Sequence, residues 1–254
     1  MTASDTGTQV TSPSSGSIAL GAVQLAWTAS PCGRAVSEDF FDFTAGEEPA
    51  KGFAIALADG LSAPGYRGRE ASEICVRTLL ADYLEAPTAW TPAQILERSA
   101  SSVNGWLFAE NARRPDFGSM LCTLTVLAIR DSQVHFGHVG DSRLYRVREG
   151  QRERFTADHV WPCSNMQHVL RRAIGLDRHL VLDCGTDDSL PGDLYLLLSD
   201  GVWEVIGDSG INDAFRQHQD IAAICNSLVT TSLDLQKQYL GRNDATAILV
   251  KVLR

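Results

Sequence analysis

Apolar residues occur in short blocks along this chain, and their spacing predicts a mixture of strands and helices. Over 18–27 apolar and polar positions partly alternate, which predicts a first strand. The polar, carboxylate-containing stretch 30–43, with a Pro and a Gly, predicts a loop. Residues 52–58 form a short buried strand that stops at the turn dipeptide Asp59-Gly60. Ala71, Ile74, Cys75, Leu79 and Tyr83 recur at helical spacing over 69–84. Thr91-Pro92 predicts the start of a second helix, because Thr caps well and Pro suits the first turn. Leu96, Ala100, Val103 and Leu107 then line one face of it.

The middle of the chain changes period. Residues 120–129, 133–139, 143–147 and 152–155 read as strands joined by short turns at 130–132, 140–142 and 149–150, an antiparallel meander. A helix over 166–174 and a strand over 180–184 are expected next. A strongly apolar strand over 193–198 stops at Ser199-Asp200-Gly201, a helix covers 219–238, and a closing strand runs over 246–253. The sum is an α+β domain, antiparallel sheets covered by helices.

The length, 254 residues, allows one large domain or two small ones, and no internal linker divides it. One domain over 18–254 is expected. The first 17 residues are rich in Ser, Thr and Gly, with neither a basic start nor an apolar segment, so they read as a disordered lead-in rather than a signal peptide. A formal net charge of -9 opposes binding to nucleic acid or anionic lipid. Apolar stretches of roughly 8–10 residues are too short to span a membrane. The six cysteines form no CxxC pair and no disulfide framework, which points to a reducing, cytoplasmic setting and away from zinc.

Acidic residues collect where apolar strands end or begin: Glu38-Asp39, Asp59-Gly60, Asp200-Gly201 and Asn243-Asp244, with Gly140-Asp141-Ser142-Arg143 between two strands. A single Asp-Gly is ordinary turn chemistry. Carboxylates gathered from several strand ends, however, repel one another unless a cation lies between them. Oxygen ligands without His or Cys point to Mg²⁺ or Mn²⁺.

In their order and spacing these segments resemble the type 2C metal-dependent protein phosphatases (the PPM family) of the bacterial type. Arg34-Ala-Val-Ser-Glu38-Asp39 resembles the first motif. Leu57-Ala-Asp59-Gly60-Leu61 and Leu198-Ser-Asp200-Gly201-Val202 resemble the two Asp-Gly motifs. Val139-Gly-Asp141-Ser-Arg143 resembles the Gly-Asp-Ser-Arg turn, and Arg242-Asn243-Asp244-Ala-Thr246 the closing motif. The match runs from about residue 20 to 252.

The resemblance implies a four-layer α-β-β-α sandwich, two antiparallel β-sheets flanked by helices. It implies a protein serine/threonine phosphatase in which a water activated by two Mn²⁺ or Mg²⁺ ions attacks phosphorus directly, so that no residue becomes phosphorylated. The implied metal set is Asp59 (bridging), the Gly60 carbonyl, Asp200, Asn243 or Asp244, and Asp141 for a third, weaker ion. The implied catalytic set is Arg34, holding the phosphate, with Glu38 and Asp39 acting through waters. The implied partners are a phosphorylated protein substrate and, since the run 58–73 resembles a subgroup often fused to a Ser/Thr kinase, such a kinase.

Two departures stand out. The loop after the first Asp-Gly reads Leu61-Ser-Ala-Pro-Gly65, without the family's further glycine or the His that some members carry there. The closing motif has Asn243 then Asp244, where the family has Asp then Asn. Either Asn243 is a neutral ligand and one metal is held less tightly, or a bulge turns Asp244 inward. The first alternative leaves a second function open, a phosphatase-like module that binds phosphoproteins or a kinase without hydrolysis. Cys32 reads as a loop thiol, Asp158-His159 as structural hydrogen bonders, His135 and His138 as sheet residues, Arg171-Arg172 as a phosphopeptide contact or a solvated helix face, and Trp203 as core.

Overall fold

Central strands buried along nearly their whole length and helices buried on one side give two antiparallel sheets, each with a helical pair. The computed structural model describes residues 14–46, 51–61, 65–163, 166, 169–238 and 242–253. In chain order the elements are β1 (Ser14–Leu20), β2 (Val23–Ser30), β3 (Asp39–Ala45), β4 (Phe53–Asp59), α1 (Gly68–Glu85), α2 (Pro92–Arg113), β5 (Leu124–Arg130), β6 (Gln133–Val139), β7 (Arg143–Arg148), β8 (Gln151–Arg154), β9 (Asp183–Asp188), β10 (Leu194–Leu198), α3 (Asp200–Gln217), α4 (Ile221–Gln236) and β11 (Ala245–Val252). They fall into two compact units. No described helix is long and apolar enough to cross a membrane.

The first unit comprises Phe40–Gly140 and His159–Asp188. Its sheet has the order β3-β4-β5-β6-β9. β4 contributes Ala54, Ala56 and Ala58 to a core shared with Cys75, Leu79 and Tyr83 of α1 and with Leu96, Ala100, Val103 and Leu107 of α2. Small alanines on the strand let the helices approach, and the large side chains then come from the helices. Burying each Leu contributes roughly 1.5–3 kcal/mol. α2 begins as expected. Thr91 Oγ1 accepts from the Gln94 N–H (3.3 Å) and Gln94 Oε1 accepts from the Thr91 N–H (3.0 Å), a reciprocal capping box. Thr91→Ala is expected to lower stability by about 1 kcal/mol in urea unfolding without changing the fold.

The second unit comprises the described chain up to Asp39 together with Asp141–Asp158 and the segment from Ser189 onward. Its sheet has the order β1-β2-β11-β10-β7-β8. Leu196, Leu198, Ala247 and Leu249 from the sheet share a core with Val202, Ile206 and Ala214 of α3 and Ile224, Cys225 and Leu228 of α4. The α+β class and the helix-flanked antiparallel sheets are as expected from the sequence.

Several local expectations are corrected. The strand expected over 18–27 is a hairpin, β1 and β2 turning at Gly21-Ala22. It takes in residues 14–17 from the lead-in, because Ser14–Ser17 pair with Ala29–Ala26; residues 1–13 lie outside the described chain. The loop expected over 30–43 contains β3. The meander divides after β6. β5 pairs with β6 and β7 with β8, but β6 continues to β9 and β7 to β10. The turn at Gly140-Asp141 therefore passes the chain from one sheet to the other. Residues 169–174 are not helical. Their backbone is satisfied by bridges of Leu170 to Val160 and Ile174 to Cys122; 164–165 and 167–168 lie outside the described residues. The strand expected over 180–184 begins only at Asp183. Asp200-Gly201 is not a plain turn but the first turn of α3, with Ser199 as N-cap.

Candidate metal centre

Seven of the nine predicted site residues belong to the second unit, where the loop after β2 up to the first residue of β3, the turn before β7, the start of α3 and the residues just before β11 supply them. Arg34 lies in the loop. Its Nη1 donates to Glu38 Oε2 at 2.8 Å and lies 3.5 Å from Asp244 Oδ2, while Nη2 donates to the Arg242 carbonyl at 3.0 Å. The Glu38 N–H donates to Asp244 Oδ2 at 2.6 Å. These bonds tie the first motif to the closing motif. Asp39, buried at the first position of β3, accepts from Thr246 Oγ1 at 2.6 Å.

Crowded carboxylates raise one another's proton affinity. Burial foremost, then Asp244 and Asp200, push Asp39 up to about 7 against the pull of the Thr246 and Ser199 hydroxyls. Burial, then Asp200, Asp158 and Glu204, push Asp141 up to about 8. Burial raises Glu38 as well, with Arg34 opposing.

The closing motif resolves which of its two residues meets the second Asp-Gly. Asn243 Nδ2 donates to Asp200 Oδ1 at 2.7 Å, while Asn243 Oδ1 accepts the Asp244 N–H at 3.0 Å. Asp244 points to Glu38 and Arg34 instead. A Cβ on Gly201 would stand 2.0 Å from the Asp244 carbonyl oxygen, so only glycine lets the start of α3 come this close.

Gln236 was not anticipated from the sequence. Its Oε1 accepts from the Asn243 N–H (2.7 Å) and from Cys32 Sγ (3.3 Å), and its Nε2 donates to the Gly201 carbonyl (3.0 Å), which also accepts from Ser232 Oγ (2.5 Å). The signal was present. Ser232 and Gln236 continue the buried stripe of Ile221, Cys225 and Leu228, and polar residues on such a stripe need partners.

Asp141 follows Gly140, whose φ of 112° few other residues adopt. The Asp141 carbonyl accepts from Trp203 Nε1 at 3.0 Å, so Trp203 holds this turn rather than merely filling core. Asp158 forks Arg143 at 3.1 and 2.8 Å, the structural role expected of it. In the first unit His159 accepts the Gly140 N–H at 3.1 Å through Nδ1 and bonds Asp183 at 2.9 Å through Nε2. Arg172, expected on a solvated helix face, pairs with Asp183 at 2.8 Å.

Asp59 and Gly60 belong to the first unit, where β4 ends. The Asp59 N–H donates to Thr123 Oγ1 at 2.9 Å and its carbonyl accepts the Thr123 N–H at 2.8 Å. A Cβ on Gly60 would lie 2.2 Å from the Gly68 backbone, so the end of the strand and the start of α1 also require glycine. Residues 62–64 of the altered loop lie outside the described chain.

Among the described residues no three His, Cys, Asp or Glu side chains form a group arranged to hold a metal ion. The donor chemistry nevertheless fits a hard divalent cation. The donors are oxygens, and the buried Oδ1 of Asp244 makes no hydrogen bond.

A sequence model of protein phosphatase 2C matches residues 34–253. The chain belongs to the protein phosphatase 2C family. The serine/threonine phosphatase stp of Listeria welshimeri is 26% identical over 217 residues, covering 78% of this chain and 83% of that protein. The protein phosphatase PhpP of Streptococcus pneumoniae is 31% identical over 201 residues, 69% and 77% of the two chains. The structure of PppA, a key regulatory component of T6SS in Pseudomonas aeruginosa, superposes with a TM-score of 0.74 at 29% identity, covering 94% of this phosphatase 2C chain and all of PppA (100%). The catalytic domain of the phosphatase PstP, solved in complex with two manganese ions, has the same fold, with a TM-score of 0.74 at 23% identity over 91% and 99% of the chains.

Proposed function

We propose that this phosphatase 2C domain, residues 18–254, hydrolyses phosphoserine and phosphothreonine esters of protein substrates in the cytoplasm, opposite a Ser/Thr kinase. The observation that carries the reading is Arg34, a guanidinium held between Glu38 (2.8 Å) and Asp244 (3.5 Å) beside buried carboxylates. Its planar fork suits the paired oxygens of a phosphoryl group. The two carboxylates fix the plane of the fork and keep it from folding away. Asp59, the Gly60 carbonyl, Asp200 and, from the closing motif, Asn243 or the unpartnered Oδ1 of Asp244 would hold two Mn²⁺ or Mg²⁺ ions, with Asp141 for a third. When bound, such ions supply positive charge that lowers the pKa of a water and stabilises phosphoryl oxygens. Glu38 and Asp39 would orient waters. Asp244 braces Arg34 and the Glu38 N–H.

The test is hydrolysis of a phosphothreonine peptide by the full chain in EDTA, Mg²⁺ or Mn²⁺. Turnover that requires the metal supports the reading; its absence at millimolar Mn²⁺ from folded protein overturns it. Asn243 motivates a second reading, a phosphoprotein-binding module without catalysis. Its amide N–H₂ occupies Asp200 Oδ1, an oxygen that a metal would otherwise use. Asn243→Asp separates the two. Under the hydrolase reading the added charge lowers the Mn²⁺ concentration for half-maximal activity by about tenfold, taking one carboxylate as roughly 1.4 kcal/mol. Without metal it sets a carboxylate against Asp200, so the melting temperature in EDTA falls.

A further inference from the structure

β8 is the edge of the second unit's sheet, and it carries arginines where an edge strand would ordinarily face water. The register pairs Tyr145 with Arg154 and Val147 with Arg152, so these side chains and Arg143 share one face of the β7–β8 hairpin. That face meets α3. Arg143 stacks over Trp203, with its guanidinium carbon 3.3 Å from the ring centroid, and Arg152 donates to Asp208 Oδ1 at 2.8 Å. Asp208 follows a break in α3 at Gly207, whose φ of 62° suits glycine. Arg143, Tyr145, Arg152, Arg154 and Asp208 line a cavity of about 220 Å³.

The guanidinium planes are already set. Arg143 lies on Trp203, and Arg152 lies 4.8 Å from the Tyr145 centroid. Stacking uses the faces and leaves the in-plane N–H groups for acceptors. Asp158 accepts from both Arg143 and Arg154, and Asp208 accepts from Arg152. Three cations thus face two carboxylates, an excess positive charge in a chain of net charge -9. Nη1 of Arg152 is buried and makes no hydrogen bond. Arginines on an edge strand do oppose sheet-to-sheet aggregation, but that role needs the charged head in water, and only 14% of the Arg152 side chain is exposed. Carboxylates already meet each arginine. The excess charge suits a tetrahedral dianion, which accepts from several guanidinium edges together.

Arg152 also lines an adjoining groove of about 600 Å³ floored by Val147, Leu194, Phe215 and Ile224, with Arg216 and His218 among its polar lining. We propose that the arginine pocket and this groove dock a phosphorylated segment of a protein partner, its phosphoryl group against Arg152 and Arg154 and a neighbouring apolar side chain in the groove. The choice of partner rests on the protein-phosphatase reading. The site itself makes no use of Arg34 or of the carboxylates of the metal centre.

The experiment is fluorescence anisotropy of a labelled phosphothreonine peptide with a flanking leucine, titrated with the full chain in EDTA, so that turnover plays no part. Arg152→Met and Arg154→Gln are each expected to weaken binding about tenfold or more, toward the affinity of the unphosphorylated peptide, while Arg34→Ala retains most of it. Metal-dependent hydrolysis of p-nitrophenyl phosphate by Arg152→Met should equal that of the parent chain, which also shows that the variant is folded. Equal peptide affinity in the parent and both arginine variants overturns the docking site. So does loss of binding in Arg34→Ala alone, or inorganic phosphate binding the pocket as tightly as the peptide does. A parent chain that binds through Arg152 but hydrolyses nothing supports the docking site and overturns the hydrolase reading instead.

Discussion

Asp200→Asn and Asp59→Asn are each expected to lower turnover of a phosphothreonine peptide at saturating Mn²⁺ by on the order of a thousandfold, the rate equivalent of roughly 4 kcal/mol of lost transition-state stabilisation. The substitutions keep shape and remove charge. The Asp200 oxygen that accepts from Asn243 has its counterpart in the amide, so the 2.7 Å contact can persist. The Asp59 contacts with Thr123 are made by its backbone and are not touched. Neither variant should therefore be destabilised. In EDTA the loss of repulsion with buried Asp39 and Asp141, both of which feel Asp200, should raise the melting temperature of the Asp200 variant. Steady-state kinetics with differential scanning fluorimetry in EDTA separate the two effects. Retention of activity within tenfold of the parent in either variant would remove that carboxylate from the catalytic centre.

The second large effect is expected from the smallest substitution. Gly201→Ala places a methyl group 2.0 Å from the Asp244 carbonyl oxygen and 2.9 Å from its carbon. Neither neighbour is a flexible side chain. Asp244 directly precedes β11, and Gly201 sits in the first turn of α3 with its own carbonyl held by Ser232 and Gln236. Relief requires the helix start to move away from residues 243–244. Overpacking of this kind costs about 1–3 kcal/mol. The loss of activity should exceed what that destabilisation explains, because Asp200 moves with the helix start while Asn243 stays with β11. A displacement of about 1 Å at a catalytic group costs on the order of a hundredfold. Urea unfolding gives the first quantity, and kcat/KM measured where the variant is fully folded gives the second. An unchanged midpoint together with unchanged kcat/KM would refute the close approach.

The two variants differ in how far the sequence anticipates them. Asp200 is conspicuous in the chain, an acidic residue at the end of a strongly apolar strand, and the five ordered segments were enough to bring Arg34, Glu38, Asp39, Asp59, Gly60, Asp141, Asp200, Asn243 and Asp244 into one reading. The need for glycine at 201 follows from a contact with a backbone atom 43 positions away in the chain. Such a contact leaves no trace in periodicity.

The same distinction runs through the rest of the molecule. Local pattern suffices where the cause is local. The helical spacing of α1, the Thr91 capping box, and the apolar runs of β4, β10 and β11 depend on residues within a turn or two, and they are where the sequence places them. What it leaves open is which strand lies beside which, because strands of both sheets share the same two-residue period. A meander was therefore expected through Gly140-Asp141, although β6 and β7 join different sheets. The directions of Asn243 and Asp244 were equally hidden: Asn243 turns to Asp200, and Asp244 Oδ2 accepts the N–H of Glu38, 206 positions earlier. Gln236 and the arginine pocket likewise depend on side chains converging from separate elements. The sequence by itself determined the class of fold, most element positions and the chemical types at the site. Tertiary structure alone decided strand partners, side-chain directions and close backbone approaches, because those arise from packing between segments that have no regular separation along the chain.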